Sequence, residues 1–416
     1  MRHHFIWSLG CALALVFWGC DDGDADPEDA GATRDSGVDR DAGPPDAGPT
    51  DGGIDLGPCA LDDGQCIFRH DTFGDEQLWT DVLRLNELVQ GLPPTTALSV
   101  GLKVDAEAVP SEVLAGADLE DPATTVALLS LDAVVGVRAT VEDGMVTRIG
   151  ITCALCHSTV DDSVAAGIGS RLDGWPNRDL NPGAIIALTP GLPALAESLG
   201  VETEAARAAL ESWGPGRYDA RFNQDGESSP VLIPPAYGLA DVALETYTGE
   251  GPISYWNAYV AVTQMGAHGT FQDERLGLDI VQEPDLVTPK LPALRDYQFS
   301  IAAPAPPEGS FDVDAAARGR GVFEASCASC HAGASFTDAP TLHTPEETGM
   351  DGNEARRSVT GMYRTTPLRG AWHRAPYFHD GSAESLEAVV EHYDGVLGLG
   401  LEASERADLV EYLGSL

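Results

Sequence analysis

Two short segments of the chain each place two cysteines and a histidine within five residues, from Cys153 to His157 and from Cys327 to His331. Both read Cys-x-x-Cys-His. Thiols three positions apart lie on one face of a helical turn, where they can bond the two vinyl groups of one porphyrin. The histidine that follows can then offer its imidazole to the iron as an axial ligand. The spacing therefore predicts two covalent c-type haems. Their attachment residues would be Cys153, Cys156, His157, Cys327, Cys330 and His331.

The same residue types also allow a structural zinc site, or a disulfide next to an unrelated histidine. The chain has 10 histidines in 416 residues. A histidine would therefore follow both cysteine pairs by chance only about 1 time in 1,700, which favours the haem interpretation of the motif.

The composition describes an acidic protein. The formal net charge is −42, from 66 acidic and 24 basic residues, and the only lysines are Lys103 and Lys290. Nucleic acid is excluded as a partner because its phosphates would be repelled. Such a charge suits an exported protein that meets a basic partner, such as a small soluble electron carrier (a cytochrome c or a cupredoxin). Solvation alone explains the charge equally well.

The N-terminus has the pattern of a targeting segment. Arg2 precedes an apolar run at 5–18, which is shorter than the ~20 residues that span a bilayer. The segment before Cys20 resembles a lipobox with bulkier residues than usual. Residues 1–20 are therefore predicted to be a lipoprotein signal peptide, and residues 21–58 a disordered acidic tether. The protein would be lipid-anchored to a membrane in the periplasm or at the cell surface. Ordinary cleavage and free secretion is the alternative.

Export also explains the cysteines, because c-type haem is attached outside the cytoplasm. In that oxidising space we expect a short-loop disulfide between Cys59 and Cys66.

The apolar periodicity predicts several elements around the motifs. Residues 73–90 have helical spacing, and residues 134–152 alternate about an Asp143-Gly144 turn. This hairpin would deliver the first motif from a strand rather than from a helix. A short helix over 203–213 would have Thr203 as its N-cap.

The C-terminal part of the chain has the pattern of a small cytochrome c domain. Asp314 is predicted to cap a helix at 315–325 that runs into the second motif, and an amphipathic helix at 403–416 would cross it. The predicted fold is mainly α, with two cytochrome c-type haem domains, long loops and a small β-hairpin before the first motif. The domains would be 59–301, with an extra N-terminal subdomain, and 311–416, joined by a proline-rich linker at 302–310.

Three segments after the second motif resemble the bacterial di-haem cytochrome c peroxidase family, which includes the enzyme that matures a tryptophylquinone cofactor. They are 366–370 (TPLRG), 375–382 (APYFHDGS) and 386–393 (LEAVVEHY). The resemblance is strong over about 312–416 and weaker over 150–280.

This resemblance implies that electrons enter at the C-terminal haem, whose distal ligand follows the His-Asp-Gly loop. Tyr393 holds the matching position, so the iron ligands would be His331 and Tyr393. The alternatives are a packed Tyr393 with a hydrogen-bonded hydroxyl, and Met350 or Met362 as the ligand. His379 is expected to organise its loop.

The resemblance also implies that peroxide reacts at the N-terminal haem. Trp256 would lie between the haems, Gln264 and His268 would act over the first haem, and Met265 is a possible sixth ligand. Plain core packing of Trp256 and a surface loop at His268 are the alternatives. The chain departs from the family in having Asn257 where an acid is usual and in having no histidine at 158–267. Only Glu274 stands near the place of the catalytic glutamate, and a possible calcium ion has no assignable ligands.

The leading functional hypothesis is an exported di-haem oxidoreductase of the peroxidase type that reduces peroxide, oxygen or another small oxidant. A pure electron-transfer cytochrome with two six-coordinate irons is the second. A haem-stabilised interaction protein is the third, and a haem oxygenase acting on a larger organic molecule also remains open.

Overall fold

A disulfide between Cys59 and Cys66 opens the part of the chain that the computed structural model describes, residues 57–416. It confirms the predicted pairing. The signal peptide and almost all of the tether predicted over 1–58 lie outside the described residues.

Short helices joined by long loops make up most of residues 57–300. The helices are α1 (Gly64–His70), α2 (Leu85–Gln90), α3 (Pro94–Ser99), α4 (Ser111–Gly116), α5 (Pro122–Ser130), α6 (Ala154–His157), α7 (Pro182–Leu188), α8 (Leu192–Leu199), α9 (Thr203–Glu211), α10 (Phe222–Asp225), α11 (Ile253–Val260) and α12 (Leu291–Ser300). The helices that follow are α13 (Val313–Ser326), α14 (Pro345–Thr348), α15 (Asn353–Arg357), α16 (Leu386–Leu397) and α17 (Ala403–Gly414).

Every sheet within residues 57–416 is a pair of strands. The strands are β1 (Val104–Asp105), β2 (Val137–Glu142), β3 (Met145–Ile151), β4 (Ser158–Val160), β5 (Ile168–Gly169), β6 (Arg171–Asp173), β7 (Arg217–Tyr218), β8 (Val231–Leu232), β9 (Phe271–Asp273), β10 (Leu278–Ile280), β11 (Leu342–His343) and β12 (Tyr363–Arg364). The pairs are β1–β5, β2–β3, β4–β6, β7–β8, β9–β10 and β11–β12, and only β1–β5 is parallel. The prediction of a mainly α chain with a small hairpin is confirmed.

The hairpin β2–β3 forms where the alternation predicts it. Asp143 and Gly144 both have positive φ, 50° and 76°, as a two-residue hairpin turn of the primed type requires. Strand β3 ends at Ile151 and leads directly to Cys153. The first motif is therefore delivered by a strand, as predicted.

The continuous helix predicted over 73–90 is wrong. The chain forms a π-helical segment at Gln77–Val82, then Arg84 takes φ 58°, and α2 begins at Leu85. Contacts with distant residues hold the π-helical segment: the Trp79 indole donates to the Met265 carbonyl. Periodicity along the chain does not contain that information.

Two predicted helix caps are displaced by one or two residues. Helix α13 begins after Asp312, whose carboxylate accepts the backbone N–H of Ala315, while Asp314 lies in the first turn. Helix α9 begins at Thr203 itself, with Glu202 at the cap position. An N-cap residue requires an extended backbone conformation. In both helices the residue that has this conformation lies before the predicted cap residue.

The crossing of α13 and α17 confirms the predicted closure of the C-terminal region. A Cβ on Gly319 would lie 1.8 Å from the Asp408 carbonyl oxygen, so the two backbones touch at this glycine. Arg318 pairs with Asp408 at 2.6 Å beside it.

Replacing Gly319 with alanine should destabilise the protein by about 2 kcal/mol, because the added methyl must push the helices apart. Gly321 is the matched control, since a Cβ there meets nothing within 4 Å. Gly321→Ala should instead stabilise the helix by up to about 1 kcal/mol. Urea unfolding measures both, and equal effects would contradict the close crossing.

Buried hydrophobic side chains form two clusters. The larger one draws only on residues 59–294, and the smaller one contains Phe323, Val390, Leu409 and Leu413. No helix or strand lies within 302–306 between them. The domain boundaries at 301 and 311 stay a prediction.

Within residues 57–416, no helix has the length and apolar character needed to cross a membrane.

Candidate haem-binding site

One cavity of about 480 Å³ reaches both Cys-x-x-Cys-His motifs. Its wall includes the cysteines and the histidine of each motif. Much of the remaining wall is apolar, contributed near the first motif by Ile151, Ile186 and Val260, and near the second by Phe323, Val390 and Leu409. An enclosed apolar cavity with a few polar groups is the usual environment of a bound cofactor.

Strand β3 and a glycine position the first motif. A Cβ on Gly136 would lie 2.0 Å from the backbone nitrogen of Leu155, so only glycine lets the strand approach α6. The Nδ1 of His157 donates to the Pro234 carbonyl at 3.0 Å, because a carbonyl can only accept. This bond leaves Nε2 as the free nitrogen. Burial lowers the pKa of His157 to about 4, so the imidazole is neutral, as an iron ligand must be.

The second motif follows the C-terminal end of α13 and repeats this arrangement. The backbone N–H of His331 donates to the Cys327 carbonyl, and its Nδ1 donates to the Phe336 carbonyl at 3.0 Å. Burial lowers the pKa of His331 as well. Both histidines therefore have their tautomer and ring orientation set by a backbone carbonyl, which is how axial histidines are oriented in metal sites.

The motif cysteines are free thiols, so the disulfide alternative is wrong. Burial raises the pKa of Cys153 and Cys156 to about 12 and that of Cys327 to about 11. Such an environment suits uncharged thioethers better than the thiolates of a zinc site. In the part of the chain described, no cluster of potential metal ligands combines the cysteines and histidine of one motif. The residues present fit c-type haem at both motifs.

Tyr393 lies on α16 and lines the same cavity. Its ring contacts Phe378 and His392 edge to face. Within residues 57–416 its hydroxyl forms no hydrogen bond, and ligation and packing both stay predictions. Of the two alternative ligands, Met350 lines the cavity, whereas Met362 is 37% exposed and does not.

Trp256 lies in the cavity wall on α11. Its indole nitrogen is buried without a hydrogen-bond partner among the described residues. The Arg221 guanidinium lies 5.9 Å from the ring centroid and forms an ion pair with Glu354, which lies beyond the linker. Trp256 thus belongs to the contact between the regions that carry the two motifs. Asn257 bonds Gln298 and lines the cavity beside it.

Two of the predicted residues near the first haem reach the cavity, and one does not. Gln264 and Met265 line it, and the Gln264 side chain accepts from the Tyr218 hydroxyl at 3.1 Å. The structure does not bring His268 to the cavity: its Nδ1 bonds the Pro284 carbonyl on another surface. Glu274 is exposed and also lies outside the cavity.

His379 has the organising contacts expected of it. Its side chain is 5% exposed and lies 3.2 Å from the Tyr363 hydroxyl, and its backbone carbonyl accepts from Leu232. It thereby joins the loop after the second motif to β8.

Sequence reasoning missed a polar band between the two motifs. Its cavity-lining members include Arg178, Tyr247, Glu245, Arg364 and Arg374. Isolated arginines and acids far apart in the chain give no motif, so only the fold brings them together.

Glu245 is the acid of this band. Burial raises the pKa of its carboxyl to about 7, although Arg364 and Arg374 oppose that shift. The carboxyl is therefore largely protonated below neutral pH, and it can gain or release a proton near neutrality.

Glu245→Gln should remove a pH dependence of stability. From pH 4.5 to 7 the unfolded carboxyl is ionised and the folded one is not, so stability falls as pH rises. The difference between a pKa of about 7 and the ordinary 4.5 corresponds to roughly 3 kcal/mol. Urea unfolding across this pH range should show a smaller decline in the variant. Exposed Glu211→Gln is the control, and identical pH profiles of all three proteins would contradict the shifted pKa.

Comparison with known proteins agrees with a c-type haem at the second motif. The cytochrome c family matches residues 316–416. The methylamine utilization protein MauG of Methylorubrum extorquens is 37% identical over 128 residues, which is 26% of this chain and 36% of that protein. Over this segment the chain is similar to a di-haem enzyme of the cytochrome c peroxidase family. The predicted resemblance to this family is confirmed, and the match spans about a third of the length of MauG.

Solved structures show weaker likeness. Hydrazine synthase of Kuenenia stuttgartiensis aligns with a TM-score of 0.31 at 19% identity, over 45% of this chain and 73% of that one. A MauG-like protein associated with microbial copper homeostasis aligns with a TM-score of 0.33 at 19% identity, over 46% and 74%. Likeness at this level carries no argument about activity, so the relation to the di-haem peroxidase family rests on sequence.

Proposed function

We propose that the protein is an exported di-haem c-type cytochrome that reduces peroxide, or oxygen, at the first motif with electrons entering at the second. The single observation that carries this proposal is the shared cavity, which is lined by both motifs and by Trp256. When bound, c-type haem supplies one-electron redox chemistry and, at an open axial position, reactivity toward peroxide. Conversion of one hydrogen peroxide to two waters takes up two electrons and two protons.

The side chains divide this work. His157 and His331 would each hold a haem iron through a neutral Nε2, and Tyr393 is the proposed second ligand at the C-terminal haem. Trp256 is the aromatic group proposed to connect the two redox centres. The Gln264 amide nitrogen donates to Asn223 and Thr263, whereas its oxygen accepts from the Tyr218 hydroxyl and has a second lone pair that can accept from an oxidant near the first motif.

We infer the partner from the charge of the chain and the location from its predicted export signal. We infer a small basic electron carrier as the donor, because the net charge of −42 would attract it and raise the association rate at low salt. A lipid anchor on Cys20 would hold the protein at a membrane facing the periplasm or the cell surface. A calcium ion stays unassigned, since no three carboxylates within the described ranges approach one another closely.

A pure electron-transfer cytochrome is the second candidate. Two observations favour it: His268 lies away from the cavity, and Met265 lines it as a possible sixth ligand. Both irons would then be six-coordinate.

The spin state of the purified, haem-loaded protein separates the two candidates. An oxidoreductase should show a high-spin ferric signal in the EPR spectrum and react with hydrogen peroxide in stopped-flow mixing. Two low-spin signals together with no peroxide reaction would identify a carrier. Protein without covalently attached haem after maturation in a competent host would refute both.

A further inference from the structure

Besides the Trp256 indole nitrogen, three hydrogen-bond donors of the cavity wall have no partner among the described residues. They are Arg178 Nε, Arg364 Nη1 and Thr246 Oγ1, all buried and without a hydrogen bond in the described chain. All three residues line the cavity between the motifs. Buried donors are almost always satisfied, so such a group of unpaired donors indicates a missing acceptor.

The one acid close to Arg364, Glu245, forms no hydrogen bond with its guanidinium. The Arg364 Nε donates to the Thr246 carbonyl, but its Nη2 lies 3.7 Å from the Glu245 carboxylate, beyond hydrogen-bond range. Glu245 Oε1 is itself unpaired. The Arg364 side chain is only 5% exposed, and burial lowers the pKa of its guanidinium. A buried cation in this state is costly unless an anion joins it.

Arg178 stands closer to the first motif. The neighbouring Asn177 donates its backbone N–H to the Cys156 carbonyl. The Arg178 Nη1 donates to the Ile233 carbonyl at 3.0 Å, next to Pro234, which accepts from His157. The guanidinium therefore faces the cavity from the side of the first motif.

Arg364 stands closer to the second motif. It lies on β12, and the carbonyl of the next residue, Thr365, accepts from the Thr337 hydroxyl six residues after His331. Tyr247 lines the cavity with both arginines, and Arg178 and Arg364 oppose the rise that burial causes in the pKa of its hydroxyl, so the unpaired donors belong to one polar band between the motifs.

Two other arginines of the cavity wall have partners within the chain. Arg374 lines the same cavity and donates to the Tyr237 hydroxyl and to the Pro367 and Arg369 carbonyls. Arg221 pairs with Glu250 and Glu354. The donors of Arg178 and Arg364 are therefore unpaired because of where these two residues lie, since other arginines in the same cavity wall have partners.

We propose that Arg178, Arg364 and Thr246 form a carboxylate-binding cluster for the propionate groups of the haems. Guanidinium binds carboxylate through two parallel, charge-assisted hydrogen bonds, and a buried hydroxyl can add a third. The cluster would favour one orientation of each porphyrin, in which the propionate groups point toward the polar band. This inference rests on haem attachment at both motifs and not on peroxide reactivity.

Arg178→Gln and Arg364→Gln test the cluster through the reduction potentials of the haem-loaded protein. A nearby positive charge favours the ferrous state, so its loss should lower at least one haem potential in each variant. We expect a change of about tenfold in the reduction equilibrium constant, which is about 59 mV for one electron. Arg364→Lys keeps the charge and should retain most of the potential.

Arg171→Gln is the matched control. Arg171 is also buried, also has unpaired donors and pairs with Asp105, but it lies outside the cavity. Its loss should leave both potentials unchanged. Potentials of both glutamine variants that stay within about twofold of the unmodified equilibrium constant would overturn the proposal.

The unmodified protein provides a measurement that does not depend on the folding of a variant. Its propionate bending bands in resonance Raman spectra should shift between H₂O and D₂O, because the carboxylates accept exchangeable protons from guanidinium and hydroxyl groups. Bands that do not move would also overturn the cluster. Haem content by intact mass keeps the two questions apart: fewer than two haems in the unmodified protein refutes the di-haem function, whereas unmoved bands with two haems present refute only the cluster.

Discussion

Replacing Cys153 and Cys156 together with serine should leave the protein with a single covalent haem. Serine forms no thioether, so the porphyrin at His157 would lose its attachment while the one at His331 remains. The double variant Cys327→Ser/Cys330→Ser should retain only the haem attached at Cys153 and Cys156. Intact mass spectrometry should show one macrocycle fewer in each case, and visible absorbance per protein should fall by about half.

The disulfide supplies a control with the same number of cysteines removed. Cys59→Ser/Cys66→Ser should keep both haems, because that pair lies outside the cavity. Loss of such a short crosslink should lower stability by about 2 kcal/mol. A motif double variant that still has both macrocycles would contradict the attachment sites.

Replacing Tyr393 with methionine should raise the potential of the C-terminal haem. An oxygen ligand favours ferric iron, whereas a thioether favours the ferrous state, and axial ligands together move haem potentials over about 0.8 V. Tyr393→Phe should remove the ligand altogether and convert that haem to a five-coordinate, high-spin species. Spectroelectrochemistry and EPR measure both changes.

Tyr377→Phe is the control for this pair of variants. Tyr377 lines the same cavity, but its hydroxyl donates to the Ala371 carbonyl, so its loss should leave the iron spectrum unchanged. If Tyr393→Phe also leaves the spectrum unchanged, Tyr393 is a packing residue and Met350 becomes the candidate ligand.

The local features of this protein were predictable from sequence because their causes are local. The Asp143-Gly144 turn depends on two neighbouring residues with positive φ. The alternation of apolar residues on either side depends only on the two strands that the turn joins. The Cys59–Cys66 pair is joined over seven residues. The motif histidines were identified by spacing alone.

The features that sequence reasoning missed depend on distant contacts. Arg84 interrupts the predicted helix by a left-handed backbone that no periodicity reveals. Glu245 and Arg364 meet although 119 positions separate them, and each looks like an ordinary surface charge in the sequence. His268 had a plausible spacing from Trp256, but the glycine at 266, with φ 82°, turns the chain away from the cavity.

The two lysines of the chain have a practical consequence for capturing its redox partner. Lys103 pairs with Asp179 and Lys290 with Asp71, and their side chains are 6% and 1% exposed. Amine-directed reagents would therefore find almost no target on residues 57–416. A carbodiimide, which activates carboxyl groups, should instead join acids of this chain to amines of the redox partner. Each crosslink would then use a carboxyl group of this chain and a lysine of the partner.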